Sequence, residues 1–225
     1  MIAPIHRLTK KEMQWLGSHR CKHGHTFLEH YSCFLEENPS MEERIGFLDI
    51  ETSNLDANFG FTLAYCIKEL DNDNILYGTI SKKDIDKYPP DKPDTDLIKC
   101  LIKDMLKFDR VVGHYSSRFD IPFIRTRALY CNVDFPEYGS LVQDDTWIWA
   151  RKKLKLSSNR LDTIALAVLG KTNKNRIEFK YWIAGSRGDE KALQYILNHC
   201  KRDVEDLERV WKKINKFARH INSSI

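Results

Sequence analysis

Ile45-Gly46-Phe47-Leu48-Asp49-Ile50-Glu51-Thr52 is the stretch on which the fold of this chain turns. Its apolar run predicts a buried strand over residues 45–51. Alternate residues of a strand face the same way, so Asp49 and Glu51 project together while Ile50 packs on the opposite side. Two carboxylates this close repel unless a cation lies between them. A divalent metal with oxygen ligands is the natural occupant. Taken alone, the run fits equally well a strand that ends in a polar loop, so the surrounding chain decides.

Downstream, Phe61 to Lys68 and Ile75 to Ile80 predict two more strands. The turn-like Asp71-Asn72-Asp73-Asn74 joins them as a hairpin. A surface loop at Tyr88-Pro89-Pro90 and Pro93 precedes a helix with Leu97, Ile98, Leu101, Ile102, Met105 and Leu106 at helical spacing, capped by Asp94, Thr95 or Asp96. Arg110 to His114 reads as a short strand, and Asp120 to Cys131 as a helix with Pro122 in its first turn. Leu141 to Asp145 is a fifth strand, followed by helical segments near 146–153 and 160–169. A final helix begins near His199 and carries Val204, Leu207, Trp211, Ile214, Ala218 and Ile221 on one face. Three antiparallel strands followed by strand–helix alternation imply an α/β domain, residues 44–225, with a mixed sheet of about five strands flanked by helices. Upstream, residues 1–43 read as a small appendage. The capping box Thr9-Lys10-Lys11-Glu12 opens a helix with Met13, Trp15 and Leu16, a His- and Cys-rich segment follows, and Asn38-Pro39-Ser40 makes a turn.

With 225 residues, 42% apolar and 30% charged, the chain suits one domain plus an appendage. It has no apolar run long enough for a membrane span, and its mixed, polar start predicts a soluble intracellular, cytoplasmic protein. The net charge of +4 is unevenly spread. Residues 1–145 carry 18 Lys and Arg against 24 Asp and Glu, a net of −6; residues 146–225 carry 18 against 8, a net of +10. That asymmetry suggests a polyanionic partner near a site that needs carboxylates. The basic stretch runs through Arg151, Lys152, Lys153, Lys155, Arg160, Lys171, Lys174, Arg176 and Lys180, and each residue facing a phosphate would add salt-sensitive affinity. Trp147, Trp149, Tyr181 and Trp182 are candidates for stacking on unpaired bases. Of the six cysteines, Cys66 and Cys100 read as small core residues.

Two further segments carry acidic residues at structurally informative places. In Gly113-His114-Tyr115-Ser116-Ser117-Arg118-Phe119-Asp120, Asp120 falls at a strand-to-helix junction. In His199-Cys200-Lys201-Arg202-Asp203-Val204, His199 and Asp203 are four apart and share a helical face. In order and spacing these segments, with Phe47 to Thr52, resemble the DEDD family of 3′–5′ exonucleases, which includes polymerase proofreading domains, over roughly residues 44–212. The resemblance implies a ribonuclease H-like fold, with Asp49, Glu51, Asp120 and Asp203 as the carboxylates binding two Mg²⁺ or Mn²⁺ ions. It carries His199 over as a catalytic residue with the spacing of the family's tyrosine subclass, a histidine standing where a tyrosine is usual. Tyr195, one helical turn earlier, is the alternative. Asp145 and Asp162 resemble accessory positions, Asp162 reading as a structural cap. Thr52, His114, Lys152 and Lys153 are the expected substrate contacts.

Phosphodiester hydrolysis needs an activated water and relief of charge on the leaving oxygen, which two metals held by carboxylates supply; His199 would orient or deprotonate the water. The expected activity is 3′–5′ exonucleolysis of single-stranded DNA or RNA. The alternatives are a structure-specific endonuclease of the same fold and a non-catalytic nucleic-acid-binding or zinc adaptor protein. In the appendage, Cys21, His23, His25, His30 and Cys33 supply five potential ligands within thirteen residues. Cys21, His25, His30 and Cys33 are the expected set for a structural Zn²⁺, with a loop of hydrogen-bonded histidines as the alternative.

Overall fold

A computed structural model describes residues 10–38, 43–172, 177–218 and 223–224. Thr9, Pro39, Ser40, Lys174, Arg176 and Ile221, which figure in the sequence reading, lie outside them. The chain divides into two compact units, Met1–Arg44 and Ile45–Ile225. In the first, helices α1 (Lys10–Ser18) and α2 (Tyr31–Glu37) enclose a small buried centre of Leu16, Cys21, Phe27, Cys33 and Phe34.

The second unit is built on a mixed sheet. Its strands are β1 (Ile45–Thr52), β2 (Thr62–Glu69), β3 (Ile75–Thr79), β4 (Arg110–Gly113), β5 (Val142–Asp145) and a two-residue β6 (Ser223–Ser224), in the order β3-β2-β1-β4-β5-β6. The pairs β1–β2 and β2–β3 are antiparallel, while β4 runs parallel to both β1 and β5. The short β6 adds an antiparallel edge to the five strands legible in the sequence. Helices α3 (Lys82–Lys87), α4 (Thr95–Met105), α5 (Asp120–Cys131), α6 (Thr146–Lys153), α7 (Leu161–Leu169), α8 (Phe179–Ser186) and α9 (Glu190–Ile214) complete the unit. Among the described residues no helix is long and apolar enough to cross a membrane.

β1 is central, and its residues from Ile45 to Leu48 are buried, as expected of a strand covered on both faces. Gly46 has to be glycine here, since a Cβ would stand 2.8 Å from Ile67 and 2.9 Å from Phe108. On one face of β1 the odd-numbered residues meet α9. At the apolar end, Phe47 lies edge-on to Trp211 with ring centroids 5.6 Å apart.

α9 begins at Glu190, nine residues before His199. Asp189 caps it by accepting from the Ala192 N–H, and Ile196, Cys200, Val204, Leu207, Trp211 and Ile214 form a buried stripe at three- and four-residue spacing. His199 and Asp203 are therefore mid-helix residues, where the backbone is most constrained. The helix ends at Ile214 and a 3₁₀ turn follows, so Ala218 packs against the core from outside the helix. Cys100, expected in the core, is exposed, because it lies on the outer side of α4 from the buried Leu97, Ile98, Leu101 and Ile102.

One buried ion pair ties α5 to the rest. Arg127 is 1% exposed and Asp94 0%, and the two form a fork with distances of 2.6 and 3.0 Å. Arg127 also donates to the carbonyls of Ala57 and Asp91, and Asp94 accepts from the Thr62 N–H. Asp94 thus stands at the N-cap of α4 but spends its side chain on Arg127 and β2. Removing one partner strands a buried charge, which costs about 3–5 kcal/mol. Arg127→Met should lower the unfolding free energy by that amount, read as a lower urea midpoint at unchanged slope, and adding Asp94→Asn should recover part of the loss. A single-mutant cost below about 1 kcal/mol, the level of an exposed pair, would contradict the assignment.

Candidate active site

The parity of β1 and the pitch of α9 build the site together. Phe47, Asp49 and Glu51 share one face of the strand. On the helix, Trp211 faces Phe47, while His199, Cys200 and Asp203 lie two to three turns earlier, at the polar end. The Cys200 thiol donates to the Asp49 carbonyl at 3.3 Å. Burial pushes that thiol well above its ordinary pKa, and Cys66, Asp49 and Glu51 push it further, so it stays a neutral donor under the site.

Glu51, His199 and Asp203 each present a ligand atom, all within 4.8 Å of one another. His199 Nδ1 lies 3.4 Å from Glu51 Oε1 and 3.7 Å from Asp203 Oδ2. Asp49, Ile50, Asp120, His114, Tyr115, Phe119, Ile177 and Trp182 line the same cleft, of about 410 Å³. It opens at the carboxyl ends of the parallel strands β1 and β4, where sheets of this kind place their ligands. A β-bulge between Glu51 and Thr52 ends the regular pairing there.

Asp120 opens α5 and is held against β1, its Oδ1 accepting from the Ile50 N–H at 3.2 Å. Burial raises its carboxyl to about 7, opposed by the backbone N–H groups of Asp120 and Ile50 and reinforced by the charges of Asp145 and Glu51. This donor set fits a hard divalent cation. Several carboxylates converge in a mostly buried cleft, and positive charge between them would offset both their repulsion and their desolvation.

The loop from Gly113 to Phe119 is pinned by Asp145. Its carboxylate accepts from the backbone N–H groups of Tyr115, Ser117 and Trp147 and from the Ser117 hydroxyl. Tyr115 is left-handed (φ 65°), a conformation that costs a non-glycine residue about 1–2 kcal/mol, and the Asp145 bond to its N–H helps to hold it. Gly113 leaves room for this turn, since a Cβ would collide with Ser116. Tyr115 is half-exposed and meets Trp147 edge-on at 4.9 Å, with Arg118 and Arg151 over the indole at 5.4 and 5.1 Å.

The cleft thus brings together seven of the residues singled out in the sequence, Asp49, Glu51, Asp120, His199, Asp203, His114 and Trp182. His114 is tied by its ring nitrogens to Thr146 Oγ1 and the Asn159 carbonyl, each at 2.9 Å. Thr52 lies past the bulge and donates to the Asn54 carbonyl, while Lys152 and Lys153 are exposed at the end of α6; none of the three lines the cleft. Tyr195 stacks on Tyr181 at 4.1 Å, away from the lining. Trp149 is a core residue rather than a base platform, because it faces inward from α6. Asp162 lies in the first turn of α7, whose N-cap is Arg160. Tyr115, Phe119 and Ile177 went unnoticed as cleft residues in the sequence. The left-handed Tyr115 lies inside the second motif, but nothing in its residue type announces that backbone.

A profile described as the RNase_H superfamily matches residues 46–215. No curated protein matches the chain. Among solved structures, the family B DNA polymerase from the hyperthermophilic archaeon Pyrobaculum calidifontis is similar, with a TM-score of 0.60 and 17% identity over 78% of this chain and 25% of the polymerase. This chain spans about a quarter of that polymerase's length, and at that identity the likeness is one of fold. The fold is ribonuclease H-like.

A carboxyl raised on folding from 3.8 to about 7 favours the folded state only while protonated. Its charge therefore erodes stability as pH rises between those values. Without divalent metal, Asp120→Asn should melt higher than the parent at pH 8 and by a smaller margin at pH 4. An Asn variant less stable than the parent at pH 8 would contradict the crowded-carboxylate picture.

Proposed function

Because the chain belongs to the RNase_H superfamily, with residues 46–215 matching the family profile, we propose that it is a metal-dependent nuclease that hydrolyses phosphodiester bonds, and specifically a 3′–5′ exonuclease on single-stranded DNA or RNA. The family supports the nuclease class. The observation that carries the finer reading is the convergence of Glu51, His199 and Asp203 within 4.8 Å in a cleft that also holds Asp49 and Asp120.

Asp49, Glu51, Asp120 and Asp203 would hold two Mg²⁺ or Mn²⁺ ions. Bound there, the ions would supply Lewis acidity for the attacking water and charge relief at the leaving oxygen. The chain's own residues do the rest. His199 Nδ1 receives the proton of the attacking water, and Glu51 and Asp203, at 3.4 and 3.7 Å, stabilise the imidazolium that forms. Asp145 holds the Gly113–Phe119 loop in its strained shape, which sets Tyr115 at the cleft wall. Tyr115 and Trp182 offer aromatic faces to unstacked bases, and Arg118 and Arg151 place positive charge beside Trp147 for the phosphate backbone. An aromatic wall beside the carboxylates favours an unpaired strand, whose bases are free to stack, over a rigid duplex.

Single-stranded DNA and RNA labelled at either end, incubated with Mn²⁺, should shorten stepwise from the 3′ end. Asp49→Ala should reduce the rate by at least about 100- to 1,000-fold, the scale of losing one element of electrostatic stabilisation. Internal cuts would point instead to an endonuclease, and binding without hydrolysis to a non-catalytic module; either overturns the exonuclease reading. His199→Ala should lower kcat by about 100-fold or more with little change in KM, while Tyr195→Phe leaves both unchanged. The reverse pattern would move the water-assisting role to Tyr195.

A further inference from the structure

The first unit carries a cluster of its own. Cys21, His23, His30 and Cys33 each present one ligand atom, all within 4.8 Å of one another. His23 Nδ1 lies 3.2 Å from Cys33 Sγ and 4.0 Å from Cys21 Sγ. His30 Nδ1 lies 3.4 Å from Cys33 Sγ and 3.8 Å from Cys21 Sγ. We propose that these four side chains form a tetrahedral Cys₂His₂ site for a structural Zn²⁺, ligated through Sγ of both cysteines and Nδ1 of both histidines.

The distances carry the geometry. With Zn–S of about 2.3 Å and Zn–N of about 2.0–2.1 Å, a tetrahedron separates a sulfur from a nitrogen ligand by about 3.5 Å. All four sulfur–nitrogen separations fall within half an ångström of that value. The charge also fits, because two thiolates and two neutral imidazoles neutralise Zn²⁺. Both cysteines are free thiols, and binding would release their protons.

Local backbone structure explains why His23, and not His25, completes the set. The chain reverses between Cys21 and His25, where the Cys21 N–H donates to the His25 carbonyl and the Gly24 N–H to the Cys21 carbonyl. Gly24 sits at φ 83°, which glycine adopts without strain. This turn brings the His23 ring over Cys21. His25, exposed like His23, lies edge-on to His30 with centroids 5.0 Å apart and is not one of the four clustered ligands. The other two ligands come from the start of α2. His30 is its N-cap and Cys33 lies in its first turn, three residues on and on the same face.

Such a unit needs a staple. Among the described residues its buried centre is five residues, two of them the ligand cysteines. Units of this size rarely bury enough apolar surface to stay folded without a metal, disulfide or partner. The zinc would hold the turn at Cys21–His25 to the head of α2, independently of the carboxylate site in the second unit.

The full-length protein, expressed with zinc and dialysed, should contain one equivalent of zinc by atomic emission. Zinc should be lost in Cys33→Ser and His23→Ala and retained in His25→Ala and Asp203→Asn. Co²⁺ exchanged into the wild-type protein should show tetrahedral d–d bands and thiolate charge transfer, which tests the site even if a cysteine variant fails to fold. Absence of zinc together with absence of thiolate–Co²⁺ bands would overturn the proposal. So would zinc that follows His25 rather than His23, or that leaves with Asp203→Asn.

Discussion

Carboxylates crowded into a largely buried cleft repel one another and lose hydration, and the structure of the second unit is arranged around that constraint. Asp49 and Glu51 share a face of β1 because alternate strand residues must. Asp120 is drawn against the same strand by the Ile50 N–H, and Asp203 arrives from α9 on the face that Cys200 and Trp211 press onto the sheet. The apolar contacts hold the acidic groups together against their own electrostatics, and the raised Asp120 carboxyl registers the tension. A fold that keeps such an arrangement forgoes stability that apolar residues would give, a common mark of a functional site.

The same scaffold divides the labour between rigid and strained parts. β1 and the middle of α9 are regular, so the carboxylates and His199 that they carry are fixed within narrow limits. The Gly113–Phe119 loop is irregular, with a left-handed Tyr115 secured by the buried Asp145. Asp94 and Arg127 anchor α5 from its far side and thereby set where Asp120 begins the helix. Loss of Asp145 or Arg127 would act on the site without either residue lining the cleft.

Much of this was legible in the residues. The period of two in β1, the helical spacing of Leu97 to Met105 and of Val204 to Ile214, and Pro122 in the first turn of α5 are local signals, and the elements stand where those signals put them; Leu106, read as part of the same face, is instead the exposed C-cap of α4. What escaped were features decided at a distance. The first turns of α9 are the exception, since Ala192, Leu193, Ile196 and Leu197 keep helical spacing in the sequence itself. Cys100 has a helical neighbourhood but the wrong side of the helix. His23 and His25 are equivalent in spacing, and only the turn through Gly24 distinguishes them. Asp94 reads as a cap, and its pairing with Arg127, thirty-three positions away, is invisible without the fold.

The central claim, that the carboxylates at the end of β1 form a two-metal centre, is tested most directly by anomalous diffraction from crystals soaked in Mn²⁺ with a mononucleotide. Two peaks about 4 Å apart, in contact with Asp49, Glu51, Asp120 and Asp203 and with the phosphate between them, are the predicted result. Nucleotide bound in the cleft with no manganese at those carboxylates would contradict it.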